Sequence, residues 1–325
     1  MQGIDRIVWI DYSKVIGLLF VICAHLYTVH GTGEENLIRT YIYGFHMPFF
    51  FFVSGMLFKP RTNGLADSLL RNFKSLLVPY LIFNFIFAII YGIIDNTVIS
   101  NIFKIPIHII KGEGNACKAS WFIACLFNIK CFFDILYYKG WLNIGIILTF
   151  IFSFVLVYVD IKGNWFYLAS TVFGLFFYWV GYFSKKYIQR LKFRNVFCIL
   201  SAILCFTISY VFTLYNGKVS MYSANVGNSI ILFYTNAMIG SMGIIWLGMG
   251  IESNRKYIVS ASCASLGVVL LHMCFVDIVK MFIRNIDGSY MFFIINLICS
   301  VLIYCICVIL YQIMNKYIPI VWGKF

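Results

Sequence analysis

Long apolar runs separated by short polar joints dominate this chain. A helix needs about 20 apolar residues to cross a hydrocarbon layer about 30 Å thick. Runs of that kind occur at 13–30, 41–58, 76–95, 119–138, 140–159, 165–183, 195–215, 229–251, 258–279 and 289–313. The pattern predicts an all-α, polytopic membrane bundle of about ten spanning helices. The stretch 119–159 is almost continuous, and its division rests on Lys139-Gly140. The joint at 96–118 holds its own apolar stretch, Ile102 to Ile110, expected to be re-entrant or interfacial. No repeat of about 20–50 residues and no inverted pair of Gly/Pro-broken helices is visible. The expectation is one membrane domain over 1–325, with no appended soluble domain and with the first run retained rather than cleaved as a signal.

Composition strengthens this reading. Hydrophobic residues make up 62% of the chain and charged residues 11%, with mean hydropathy +0.90; soluble domains carry about 25% charged residues. A net charge of +13 raises the question of nucleic acid. The cations sit in short joints between apolar runs, where they set topology, so no nucleic-acid partner is expected. With both termini in the cytoplasm, 16 Lys and Arg fall inside and eight outside, with Lys130 within a span. The inner set includes Lys59, Arg61, Arg71 and Lys74 in one joint and Lys185, Lys186, Arg190, Lys192 and Arg194 in another. The 11 cysteines lie mostly in apolar runs without metal-ligand spacing and read as small reduced core residues.

Ionisable residues inside the runs change the picture from scaffold to chemistry, because each costs roughly 2.5–3.5 kcal/mol or more if it faces lipid. Lys14 and His25 are 11 positions apart, about three turns plus 20°, and share one helix face, with Asp11 about 40° from His25. His46 opens the second run and His272 lies in the ninth, and with the termini inside all three histidines fall in the outer half. A neutral imidazole can take a proton from an attacking hydroxyl and return it to a leaving group. Zinc binding by three histidines is the competing reading and needs tight convergence. Arg71 and Lys74, at i and i+3, suit phosphate approaching from the cytoplasm; ordinary head-group anchoring accounts for them equally well. Lys130 and Asp134, at i and i+4, read as a self-neutralising pair. Phe49 to Phe52 read as packing and lipid-facing surface, Ser54-Gly55 as a site of close helix approach, and the glycines at 240, 243, 248 and 250 as packing contacts.

Together these residues resemble a known family. Trp9-Ile-Asp11-Tyr-Ser-Lys14 followed by His25, then Phe45-His46-Met-Pro-Phe-Phe-Phe-Phe-Val-Ser54-Gly55, then Arg71-x-x-Lys74 leading into Val78-Pro79-Tyr80, is similar to integral-membrane acyltransferase family 3. The branch of fucose 4-O-acetylase-like and polysaccharide O-acetyltransferases is the most similar. Trp121-Phe122 and Ser265-Leu-Gly-Val-Val-Leu-Leu-His272 extend the likeness along the chain.

The resemblance implies a multi-pass protein of a bacterial inner or plasma membrane that uses cytoplasmic acetyl-CoA as acyl donor and no metal or redox cofactor. The implied acceptor is a hydroxyl of a cell-surface or lipid-linked glycan, such as O-antigen, capsule or exopolysaccharide, with glycan-assembly proteins as possible partners. Lys14 and His25 match the family's basic-x10-His motif, and Arg71 with Lys74 match its Arg-x-x-Arg, with Lys in place of the second Arg. Many relatives also carry an extracytoplasmic hydrolase-like domain. The implied site has Arg71 and Lys74 holding the CoA nucleotide and the pantetheine arm passing Lys14. His25 acts as general base or transient acetyl carrier, and His46 steers the acceptor. Lys14 either contacts donor phosphate or pairs with Asp11. A glycolipid or polysaccharide flippase using the histidines as a proton relay is the alternative from another class, and an accessory membrane subunit is a second.

Overall fold

A computed structural model describes residues 6–27, 33–112, 116–159, 164–188, 193–251, 253, 256–283 and 289–324. The elements are α1 (Val8–Leu26), α2 (Gly33–Tyr43), α3 (His46–Met56), α4 (Leu65–Asn72), α5 (Val78–Ile94), α6 (Val98–Lys111), α7 (Trp121–Tyr138), α8 (Leu142–Tyr158), α9 (Leu168–Ile188), α10 (Asn195–Asn216), α11 (Ile230–Gly250), α12 (Lys256–Cys263), α13 (Ser265–Ile283) and α14 (Ser289–Tyr317). A π-helical turn, Phe73–Leu77, joins α4 to α5. The protein is a polytopic all-α membrane bundle, and among the described residues eight helical runs are long and apolar enough to cross a bilayer.

The number is smaller than the ten expected from apolar length, and two local causes account for the difference. The run 41–58 is two helices. Pro48 has no N–H, and its ring would collide with the Gly44 carbonyl in a continuous helix, so the chain turns between Tyr43 and His46. His46 Nδ1 then donates to the Ile42 carbonyl at 2.8 Å, replacing a backbone donor lost at the break. Separately, Gly140 takes a left-handed φ of +73° and ends the run begun in α7. The following α8 has only 17 residues, about 26 Å long. Elsewhere the helical run Leu65–Ile94 extends the expected 76–95 span backwards through the π turn. The apolar joint at 96–118 contains α6, whose Ile99, Phe103, Ile107 and Ile110 line one exposed face at helical spacing. Arg190 and Lys192, counted among the inner cations, lie outside the described residues.

Two compact units emerge. The first comprises Met1–Val53, Phe183–Val219 and Gly227–Tyr311. In it α1 packs against α11, α12 and α13, and α11 packs along α10. Gly240 of α11 lies against the Phe45 ring and Gly243 against that of Phe206, which is the packing role expected of these glycines. The second comprises Ser54–Tyr182, Ser220–Val226 and Gln312–Phe325. Its interior is aromatic: Phe58, Phe133, Tyr178 and Tyr182 meet edge-on or tilted, with centroids 4.8–6.5 Å apart. Gly55 permits this, because a Cβ there would overlap the Tyr178 carbonyl.

Candidate active site

The first unit gathers the histidines. His25 occupies the last turn of α1 and is half-buried, with Nδ1 3.3 Å from the Tyr43 hydroxyl. Its ring lies 5.4 Å from that of His272 of α13. The Tyr43 ring is in turn 5.0 Å from His46, and the Arg39 guanidinium covers it at 4.9 Å. His25, Tyr43, His46 and His272 therefore form one aromatic and imidazole cluster built from four helices.

The cluster is not symmetrical in its protons. His46 and His272 both direct Nδ1 at backbone carbonyls, Ile42 at 2.8 Å for the first and Val268 and Val269 at 2.8 and 3.0 Å for the second. A carbonyl only accepts, so each Nδ1 carries the hydrogen and each neutral ring keeps its lone pair on Nε2. The Nε2 of His272 is buried without a hydrogen-bond partner. His25 instead meets a hydroxyl, which donates or accepts as needed. Of the three imidazoles it is the one whose Nδ1 meets a hydroxyl, a partner compatible with either tautomer and so with proton transfer. Among the described residues no three His, Cys, Asp or Glu side chains converge closely enough to hold a metal ion.

Near the start of α1, sequence spacing left Lys14 to choose between Asp11 and a ligand. Buried Asp11 is bound by Arg6, whose Nε and Nη2 donate to the two carboxylate oxygens at 2.7 and 3.0 Å. This bond with Asp11 pushes the Arg6 guanidinium still further above its ordinary pKa. Ser262 donates to Asp11 at 2.6 Å and accepts from Lys14 Nζ at 3.4 Å. Arg6 thus occupies both carboxylate oxygens, and Lys14 reaches Asp11 through Ser262. Lys14 and His25 share a face yet stay about 16 Å apart along the axis.

The second unit brings together the other predicted pair. Arg71 ends α4 and Lys74 sits in the π turn, a type of irregularity frequent at functional sites. Both are exposed and line one open cavity with Arg61, Asp67, Leu70, Ser75 and the segment Trp322-Gly323-Lys324. Lys130 and Asp134 do not bond each other. Asp134 Oδ2 accepts from Ser68 and Asn72 of α4, both at 2.7 Å, because the helix packed alongside offers closer donors than the next turn of its own.

Arg6, Ser262, Tyr43 and residues 322–324 escaped sequence reasoning. Tyr43 carried a usable signal, since it precedes His46 by three positions at the edge of an apolar run; Ser262 and residues 322–324 approach from remote segments.

The Tyr43 contact has a direct test. Tyr43→Phe removes the hydroxyl while keeping the ring against His46 and under Arg39. It is expected to lower kcat about tenfold with little change in KM, the signature of a lost orienting bond to a proton-transfer group. Steady-state kinetics of the purified protein would check it.

Comparison with known families matches residues 7–312 to acyltransferase family 3, described as an acyltransferase domain. No curated protein and no solved structure matches the chain.

Proposed function

Since this chain belongs to acyltransferase family 3 and is a membrane acyltransferase, we propose that it transfers an acetyl group from acetyl-CoA to a hydroxyl of a cell-surface or lipid-linked glycan, in a bacterial inner or plasma membrane. The observation that carries this reading is the His25–Tyr43 contact beside His272, which places an imidazole against a hydroxyl that can donate or accept inside an apolar bundle. His25 takes the proton of the acceptor hydroxyl as its oxygen attacks the thioester carbonyl. A C–O bond forms, the C–S bond breaks, and the imidazolium returns the proton to the departing thiolate. Attack by His25 itself, giving an acetyl-imidazole that the hydroxyl then discharges, is the second route. His46 steers the acceptor through Nε2, while its Nδ1 closes the break between α2 and α3.

Arg71 and Lys74 hold donor phosphates. The positive-inside bias supports cytoplasmic termini and a cytoplasmic donor. Single substitution of Arg71 or Lys74 by alanine is expected to raise KM for acetyl-CoA about tenfold with kcat nearly unchanged, as for a contact made equally in ground and transition states. An unchanged KM would leave the pair as topology anchors.

The reading is tested with protein purified in detergent and supplied with labelled acetyl-CoA and an extract of lipid-linked glycan. Label should move to the glycan with stoichiometric release of CoA. A flippase would give no CoA release.

A further inference from the structure

The segment after α14 reaches the Arg71–Lys74 cavity. Pro319–Trp322 forms a tight turn, and Trp322 is 3% exposed with its ring 5.1 Å from Phe83 of α5 at 34°. Gly323, at φ +68°, lies against the backbone of the π turn, where a Cβ would overlap the Lys74 carbonyl. The close approach has a cause in the sequence. In π geometry the Lys74 carbonyl would accept from residue 79, but Pro79 has no N–H to give. Only a residue without a side chain can cover that carbonyl so closely. Lys324 follows, its Nζ bonded to Asn315 Oδ1 in the last turn of α14. On the opposite rim, the Tyr138 hydroxyl accepts from Arg61 N at 2.6 Å and donates to Arg61 O at 2.9 Å, which pins the backbone carrying that guanidinium.

Four cations, Arg61, Arg71, Lys74 and Lys324, thus converge on one cavity that contains a single acid, Asp67. Like charges gathered around one cavity create a potential for a multiply charged anion. A diacyl lipid head group typically offers one phosphate. The nucleotide end of CoA offers a diphosphate and a ribose 3′-phosphate, the last worth roughly −1.5 to −2 charges as a monoester.

We propose that the turn 319–324 forms the third wall of the donor site, with Lys324 and Arg61 binding the phosphates of the 3′-phosphoadenosine diphosphate end of CoA opposite Arg71 and Lys74. The proposal rests on the donor reading above. It makes Gly323 a positioning residue, acting through the placement of Lys324.

Binding of 3′,5′-ADP to the full chain in phosphatidylcholine nanodiscs tests it. Lys324→Ala and Arg61→Ala should each weaken binding about three- to tenfold, as expected of partly screened charge-assisted contacts. Lys324→Arg should bind like the parent, and Gly323→Val should lose affinity although no charge is changed. If Arg71→Ala weakens binding while Lys324→Ala and Gly323→Val do not, the turn is no part of the site and the donor reading stands without it. If Arg71→Ala also has no effect, the donor reading fails and the proposal with it. If the charge removals alter only retention on phosphatidylglycerol vesicles, the cavity is a lipid head-group seat and the proposal is overturned.

Discussion

Replacing His25 with alanine should lower acyl transfer at least about a hundredfold, the lower end of what a positioned general base contributes, while the protein stays folded and in the membrane. His25 is the imidazole of the cluster that meets a hydroxyl rather than a backbone carbonyl at Nδ1, so either transfer route loses its proton carrier or acyl carrier when the ring is removed. Its side chain is also only half-buried, at the end of a helix whose packing is carried by residues such as Leu18 and Ile22, both fully buried. His46→Ala provides the contrast. That change removes one of two donors to the Ile42 carbonyl, which keeps the Phe45 N–H at 3.2 Å, and empties a buried site at a helix break, so part of its effect should appear as reduced yield of folded protein, by about 1 kcal/mol of stability. Transfer to glycan and fluorescence-detected size exclusion, measured on the same preparations, separate the two. Wild-type transfer by a well-folded His25→Ala protein would end the assignment.

The second large effect is structural. Gly55→Val should destabilise the second unit by about 3 kcal/mol, roughly a hundredfold in its folded ratio, because the new Cβ would occupy the position of the Tyr178 carbonyl. The clash is with backbone of α9, which no rotamer change relieves. The helices must separate, and the contacts among Phe58, Phe133 and Tyr178 loosen with them. Thermal melting in detergent would register the change as a lower midpoint, and Ser54→Ala should leave it nearly unaltered. A Gly55→Val protein melting at the parental temperature would contradict the close approach.

How much of this was legible beforehand depends on the range of the interaction. The polar face of α1 was readable because helical periodicity holds over its 19 uninterrupted residues, so Lys14 and His25 keep their register. Ser54-Gly55 was readable as a close approach for the same local reason. The break at 44–45 was missed because summed hydropathy is blind to a proline that removes one donor in a uniformly apolar run. The partner of Asp134 was misread because spacing rules see only the next turn of the same helix, whereas Ser68 and Asn72 come from α4. Nothing periodic links Arg6 to Asp11 across the start of a helix, or residue 323 to residue 74. The second contact exists only once the chain has folded back on itself.

The π turn at 73–77 also says which kind of mutation this region can absorb. A π turn holds one residue more than the α-helical turn it replaces. Deleting any one of Phe73 to Leu77 therefore leaves an ordinary α-helical turn and keeps the register of α5. Tyr80 and Phe83 stay in the core, and Asn84 keeps its bond to Ser120 at 2.9 Å. Side chains within the turn can vary where they are exposed, as Phe73 and Lys74 are. The number of residues can vary by one as well, so relatives of this chain should be found both with and without the extra residue.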